Sequence, residues 1–261
     1  MAQNPMFNEN AFKRAKAEHQ SGYAHETISD DMQLVRGVDT AATAMTLQGT
    51  INKTFFLLFL CVAGGMMSWT NPQAWLSYMW IIAMGAFGIA IWTAFKPAVS
   101  MFTAPVYALL EGLLLGAISA AYNAQFNGIV FQAVSATVLV FFVMLAIYRF
   151  QIIRVTNTFA KVIVAATAAI ALFYIVSMVL GLFGVSTAYL TSSSPLSIGI
   201  SVVICLVAAF NFLLDFEFIN QMTGKYTAPK YMEWYAGFSL LVTLVWLYLE
   251  ILRLLGKGRS R

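Results

Sequence analysis

The sequence predicts an all-α membrane protein, a bundle of seven transmembrane helices behind a polar tail. Composition is the first reason: the 261 residues are 60% apolar and 10% charged, with mean hydropathy +0.77, whereas a soluble domain is about 25% charged. The second is a series of apolar runs, several near the roughly 20 residues that cross a hydrocarbon core of about 30 Å. The third is the placement of the acids. After Asp39 only five remain, Glu111, Asp215, Glu217, Glu233 and Glu250, and four of them lie within or at the edge of those runs. A carboxylate in mid-membrane costs roughly 2.5 to 3.5 kcal/mol, so it faces a partner or a watery path and marks function.

Residues 1–50 are read as a polar tail. They contain six acids and two histidines and lack the basic start, apolar centre and small-residue cleavage site of a signal peptide. Within the tail, residues 8–19 either form a short charged helix or stay without regular structure. The membrane domain covers residues 51–256, with a basic tail at 257–261. Its seven runs extend from Thr54 to Ser68, Trp75 to Phe95, Phe102 to Ala121, Ile129 to Tyr148, Val162 to Phe183, Ile198 to Phe218 and Trp234 to Leu255. Lys96 and Pro97 separate the second run from the third, and Thr-Ser-Ser-Ser-Pro at 191–195 separates the fifth from the sixth.

The basic residues choose the sides. Five lie ahead of the first run, in the N-terminal tail and at Lys53, one between the second and third runs, three between the fourth and fifth, two between the sixth and seventh, and four from Arg253 onward. Basic segments favour the cytoplasm, so the tail and the three basic loops are expected there. The last four residues conflict with this if the seventh run crosses fully. Either a short end tolerates them, or the run is re-entrant and shielded by other helices.

Glu111 sits midway along the third run, downstream of Pro105, with Gly112 and Gly116 four apart to allow a close helix contact. It is either a protonated acid bonded to a neighbouring helix or a cation or proton site. Asp215 and Glu217 point about 200° apart on a helix and form no shared dyad. Asp215 and Asn211, four apart, share a face and are candidate oxygen ligands for a hard cation such as calcium, with most ligands supplied from elsewhere. Glu217 reads as a solvated interfacial acid. Glu250 and Arg253 are spaced for an i,i+3 ion pair, and Glu233 for a helix N-terminal acid favoured by the dipole. Glu250 would lie about 24 Å beyond the start of a fully spanning seventh run, out of reach of Asp215, while a re-entrant run could bring the two together.

Enzymatic readings lack residues. The two histidines, His19 and His25, are both in the tail, which removes an intramembrane Ser-His dyad, a histidine zinc site and bis-histidine haem. No lysine lies in mid-span for a Schiff base. Cys61 and Cys205, both within apolar runs, suggest filler rather than a disulfide framework. A net charge of +4 without a basic stripe gives nucleic acid nothing to bind. No cofactor and no firm metal site is expected.

Three stretches carry a likeness to a known family: Met45-Thr46-Leu47 through Asn52-Lys53-Thr54; Ala104-Pro105-Val106-Tyr107-Ala108 through Glu111-Gly112 and Leu115-Gly116; and Glu233-Trp234-Tyr235-Ala236 through Tyr248-Leu249-Glu250-Ile251-Leu252-Arg253. They resemble a bacterial, YccA-like branch of the Bax inhibitor-1 family over residues 45–256, with the tail outside the likeness. The resemblance implies six helices around a central C-terminal helix, an inner-membrane location and a passive, pH-sensitive calcium leak. It also implies a gate in which acids on the sixth and seventh helices share a proton. Asp215 matches the first acid. Aligning through Arg253-Leu254-Leu255-Gly256 puts Thr243 at the partner position, and a threonine cannot share a proton between carboxylates. Some bacterial relatives instead restrain a membrane-bound ATP-dependent protease that grips their tail, so a non-conducting regulator is the alternative.

Overall fold

The computed structural model describes residues 44–183, 192–224 and 227–260, so the region read at 8–19 lies outside the described residues. Eight α-helices follow one another among them: α1 (Leu47–Trp69), α2 (Pro72–Ser77), α3 (Met79–Phe95), α4 (Ser100–Gln125), α5 (Ile129–Arg149), α6 (Asn157–Leu182), α7 (Pro195–Gly224) and α8 (Met232–Arg259). Starts are set by local chemistry. Thr46 caps α1 by accepting from Gly49 N at 3.0 Å, Thr156 caps α6 through Phe159 N at 3.2 Å, and Ser194 accepts from Ser197 N at 3.2 Å just before Pro195 opens α7. The Thr46 cap moves the start of the first helix back from the expected Thr54 to Leu47.

Six helices, α1 and α4 to α8, are long and apolar enough to cross a membrane. The expected second run differs. It is divided at Tyr78 into α2 and α3, and α3, with 17 residues, reaches only about 26 Å at 1.5 Å per residue. By length alone six crossings qualify, not seven.

Side-chain contacts fix the helix directions. Along α8, Ser239 and Thr243 meet Asp215 of α7, whereas Lys257 meets Ser197 and Ser201, so α7 and α8 are antiparallel. The contacts of α4 with α8 advance in step, from Ser100 Oγ to Tyr231 O at 3.3 Å, through the Tyr107 and Phe238 rings at 5.0 Å, to Ser119 and Tyr248 hydroxyls at 2.6 Å. Those of α1 do likewise, Lys53 with Glu233 and then Thr54 against Gly237. Helices α1, α4 and α8 are therefore parallel. The chain must return between α1 and α4, and α3 is the longer of the two helices available to carry it. Phe141 against Phe212 and Tyr148 against Glu217 make α5 parallel to α7. The segments around Lys96, Arg154 and Lys230 consequently share one end with the start of α1. This is the grouping expected from the distribution of basic residues.

Helix α8 is the core. Half of its most apolar window is buried (50%), against 11–39% for the other five long helices, and it packs on α1, α4, α5 and α7. It runs unbroken for 28 residues, about 42 Å, with no turn at which a re-entrant segment would reverse. The basic tail expected from residue 257 is partly helix, since α8 continues to Arg259 and Lys257 is buried.

The small residues predicted beside Glu111 make a close seam between α1 and α4. A Cβ on Gly112 would strike the Cys61 carbonyl, and one on Gly116 would strike the Gly65 carbonyl and Ser68 Oγ. Substituting Leu at either position should therefore destabilise the bundle by about 1 to 3 kcal/mol through overpacking. Gly85→Ala in α3, where a Cβ meets open space, should change stability by no more than about 1 kcal/mol. Thermal unfolding in one detergent measures both.

Candidate functional site

Three acid-centred clusters decorate α8 at successive heights, and each ties it to a different helix. The middle one holds Asp215. This residue is buried on α7, its Oδ1 accepting from Ser239 Oγ at 2.6 Å and its Oδ2 from Thr243 Oγ1 at 2.7 Å. Ser239 and Thr243 are one turn apart and present their hydroxyls on one face of α8. Among the described residues no lysine or arginine pairs with Asp215. Its charge is met by hydroxyls alone, which can donate to a carboxylate or accept from a carboxylic acid. Thr243 Oγ1 also has its own helix carbonyl, Ser239 O, at 3.2 Å as a second acceptor.

Asn211 does not join this cluster. Its Nδ2 donates to Thr167 Oγ1 of α6 at 2.9 Å and to Val207 O at 2.8 Å. Asp215 and Asn211 thus serve α8 and α6 respectively, rather than the single cation expected from their spacing. The described residues contain no group of three or more His, Cys, Asp or Glu arranged to hold a metal ion.

Glu250 lies seven residues beyond Thr243, about 10 Å along the axis, and has its own partners. Arg253 Nη1 donates to its Oε1 and Oε2 at 3.0 and 3.2 Å, and Tyr174 of α6 donates to Oε1 at 2.6 Å. Arg253 also reaches the Tyr174 hydroxyl at 2.7 Å, and its guanidinium lies 5.2 Å from the ring centre. The i,i+3 pair read from the sequence is thus the kernel of a three-residue cluster. Arg253 serves Glu250 and Thr243 serves Asp215, so the two acids stay separate.

The third cluster was missed. Glu233 is buried in the first turn of α8, as its reading as an N-terminal acid required, but it also bridges to residues about 180 positions away. It accepts from Thr46 N at 2.9 Å and Thr46 Oγ1 at 2.8 Å, and it pairs with Lys53. The Lys53 ammonium sits 5.4 Å from the centre of the Trp234 ring. Met45 N donates to Ala228 O at 2.7 Å beside it. Two of the three stretches that carry the family likeness are the halves of this one cluster. Of the remaining acids, Glu111 is half-buried on α4 with Tyr107 and Cys61 as polar neighbours. Glu217 accepts from Tyr148 Oη at 3.0 Å and Gln221 Nε2 at 2.7 Å, consistent with an interfacial acid.

Glu233 is 1% exposed and Lys53 19%, so removing Lys53 leaves the more deeply buried charge with only the half-exposed Lys230, whose Nζ is 3.8 Å from Oε1. Lys53→Met should cost up to about 3 kcal/mol, while Lys53→Met with Glu233→Gln should recover part of that because no poorly compensated buried carboxylate remains. A double-mutant cycle on thermal unfolding checks the sign of the recovery.

No curated protein matches this sequence. One family pattern, described as Bax inhibitor 1 like, matches residues 4–260, so the N-terminal tail expected to lie outside the likeness is inside it. With a match of that extent over a helical bundle centred on its last helix, the chain belongs to the Bax inhibitor 1 like family.

Proposed function

We propose that the chain is a seven-crossing protein of a bacterial inner membrane, with its tail in the cytoplasm, that permits a slow, pH-dependent leak of calcium gated at Asp215. The observation carrying this reading is the buried Asp215 carboxyl, which α8 holds through two hydroxyls and no cation. The return required between parallel α1 and α4 supports α3 as the additional crossing. Shared placement of the basic loops supports the orientation. The described basic residues at the opposite end are internally engaged: Arg253 by Glu250, Lys257 by Ser197 O and Ser201 Oγ, and Arg259 by Asn127 O and Gln132 Oε1.

When Asp215 is ionised, both hydroxyls donate to it, and two charge-assisted hydrogen bonds clamp α7 to α8. Protonation leaves neutral bonds of about half that strength, and the Thr243 hydroxyl can turn to Ser239 O. Acid therefore loosens the clamp, and flux rises as pH falls. Glu111, half-buried on α4, is the second acid along the path.

Purified protein in calcium-free liposomes tests the gate. Wild type should leak above empty vesicles, more at low pH, across about pH 6 to 8. Asp215→Asn, fixed in a neutral form, should abolish that slope and hold flux near the acidic level. Ser239→Ala with Thr243→Val should raise flux at neutral pH. Folded protein without flux at any pH would reject the leak.

A second reading draws on the family match running through the tail and on Thr243 standing where a second carboxyl would complete a shared-proton pair. In it the protein is a non-conducting regulator that engages a membrane-bound ATP-dependent protease through the tail. Deleting residues 1–40 separates the two readings, because a leak survives the deletion and a tail-dependent association is lost in pull-down.

A further inference from the structure

A cleft of about 700 Å³ lies between α1 and α5, within the span of ligand sites, roughly 300 to 1,000 Å³. Its flanks include Phe59 and Met66 on α1 and Val134 and Val138 on α5, all between 46% and 69% exposed. Buried Leu241, Val245 and Tyr248 of α8 contribute to its floor. The α1 wall runs from Phe55 to Trp69, fourteen steps of 1.5 Å or about 21 Å, more than one leaflet of a core about 30 Å thick.

Water has little to hold it there. A buried water needs two to four polar partners, and apolar cavities stay dry. The cleft's hydroxyls are already engaged: Ser119 and Tyr248 bind each other at 2.6 Å, and Thr137 Oγ1 donates to Ala133 O at 2.8 Å. Within the hydrocarbon layer, the available filler is a hydrocarbon chain. The upper rim suits a phosphate headgroup. Trp69 ends α1 at that level, and tryptophan favours the membrane interface. Arg259, outside the cleft lining but at the same end of the bundle, is held beside the start of α5 by Asn127 O at 2.8 Å and Gln132 Oε1 at 2.9 Å, and among the described residues no carboxylate pairs with it.

We infer that the α1–α5 cleft binds one acyl chain of a membrane phospholipid, with its phosphate at the end that carries Trp69 and Arg259. The site is separate from the Asp215 clamp. At 100° per residue, Leu241, Leu244, Val245 and Tyr248 lie on the face of α8 opposite Ser239 and Thr243. The inference stands whether or not the protein conducts calcium.

Native mass spectrometry tests it on full-length protein ejected from nanodiscs of phosphatidylethanolamine and phosphatidylglycerol. Wild type should retain one phospholipid per chain. Val134→Trp and Val138→Trp, each starting from a 46% exposed side chain, fill the cleft without disturbing the core and should lose the retained lipid. Leu139→Trp, 65% exposed and outside the cleft lining, should keep it. Unchanged retention in both cleft variants with an unaltered melting temperature would overturn the inference. So would a wild-type dimer, free of lipid, that either cleft variant dissociates.

Discussion

A charge withdrawn from water must find its partners inside the fold, and in this bundle α8 supplies or receives most of them. Glu233 meets Lys53 and the cap of α1, Ser239 and Thr243 meet Asp215 of α7, and Glu250 with Arg253 meets Tyr174 of α6. Each cluster lies at its own height, so the partners fix rotation and register as well as contact. Apolar packing alone selects weakly between registers in a lipid-like medium, where the surrounding chains are as apolar as leucine. The polar clusters provide that selection, and the small-residue seam between α1 and α4 lets those two helices approach closely enough to share the central helix.

Much of the architecture was legible before any coordinates. Hydropathy located all six long helices, the basic residues grouped the loops correctly by end, and Gly112 with Gly116 announced the seam. The division at Tyr78 was not legible, because neither proline nor glycine stands there and the apolar run is continuous. The site was legible in halves. Asp215 stood out because a carboxylate in an apolar run is costly, whereas Ser239 did not, because a hydroxyl among apolar residues bonds its own helix cheaply and carries no signal. Thr243 entered only through the family likeness. Asn211 misled because spacing on one helix says which residues are neighbours, not which helices they face. The Glu233 cluster joins positions some 180 residues apart, and nothing local in either stretch reveals its counterpart.

The hydroxyl pair changes what an acid on α7 experiences. Two carboxyls facing each other would repel when both ionise and bind when they share a proton. Asp215 opposite Ser239 and Thr243 has the reverse preference, because two donors strengthen with charge. The side chains on α8 thus set which protonation state of Asp215 is held more tightly.

The order of the chain has a consequence for assembly. Synthesis runs from the N-terminus, and earlier segments organise first. The helix that completes the centre is the last of those described here. Until it arrives, Lys53, Ser119 and Asp215 lack the groups that satisfy them in the finished protein. The bundle can therefore close around its buried polar groups only once α8 has entered it.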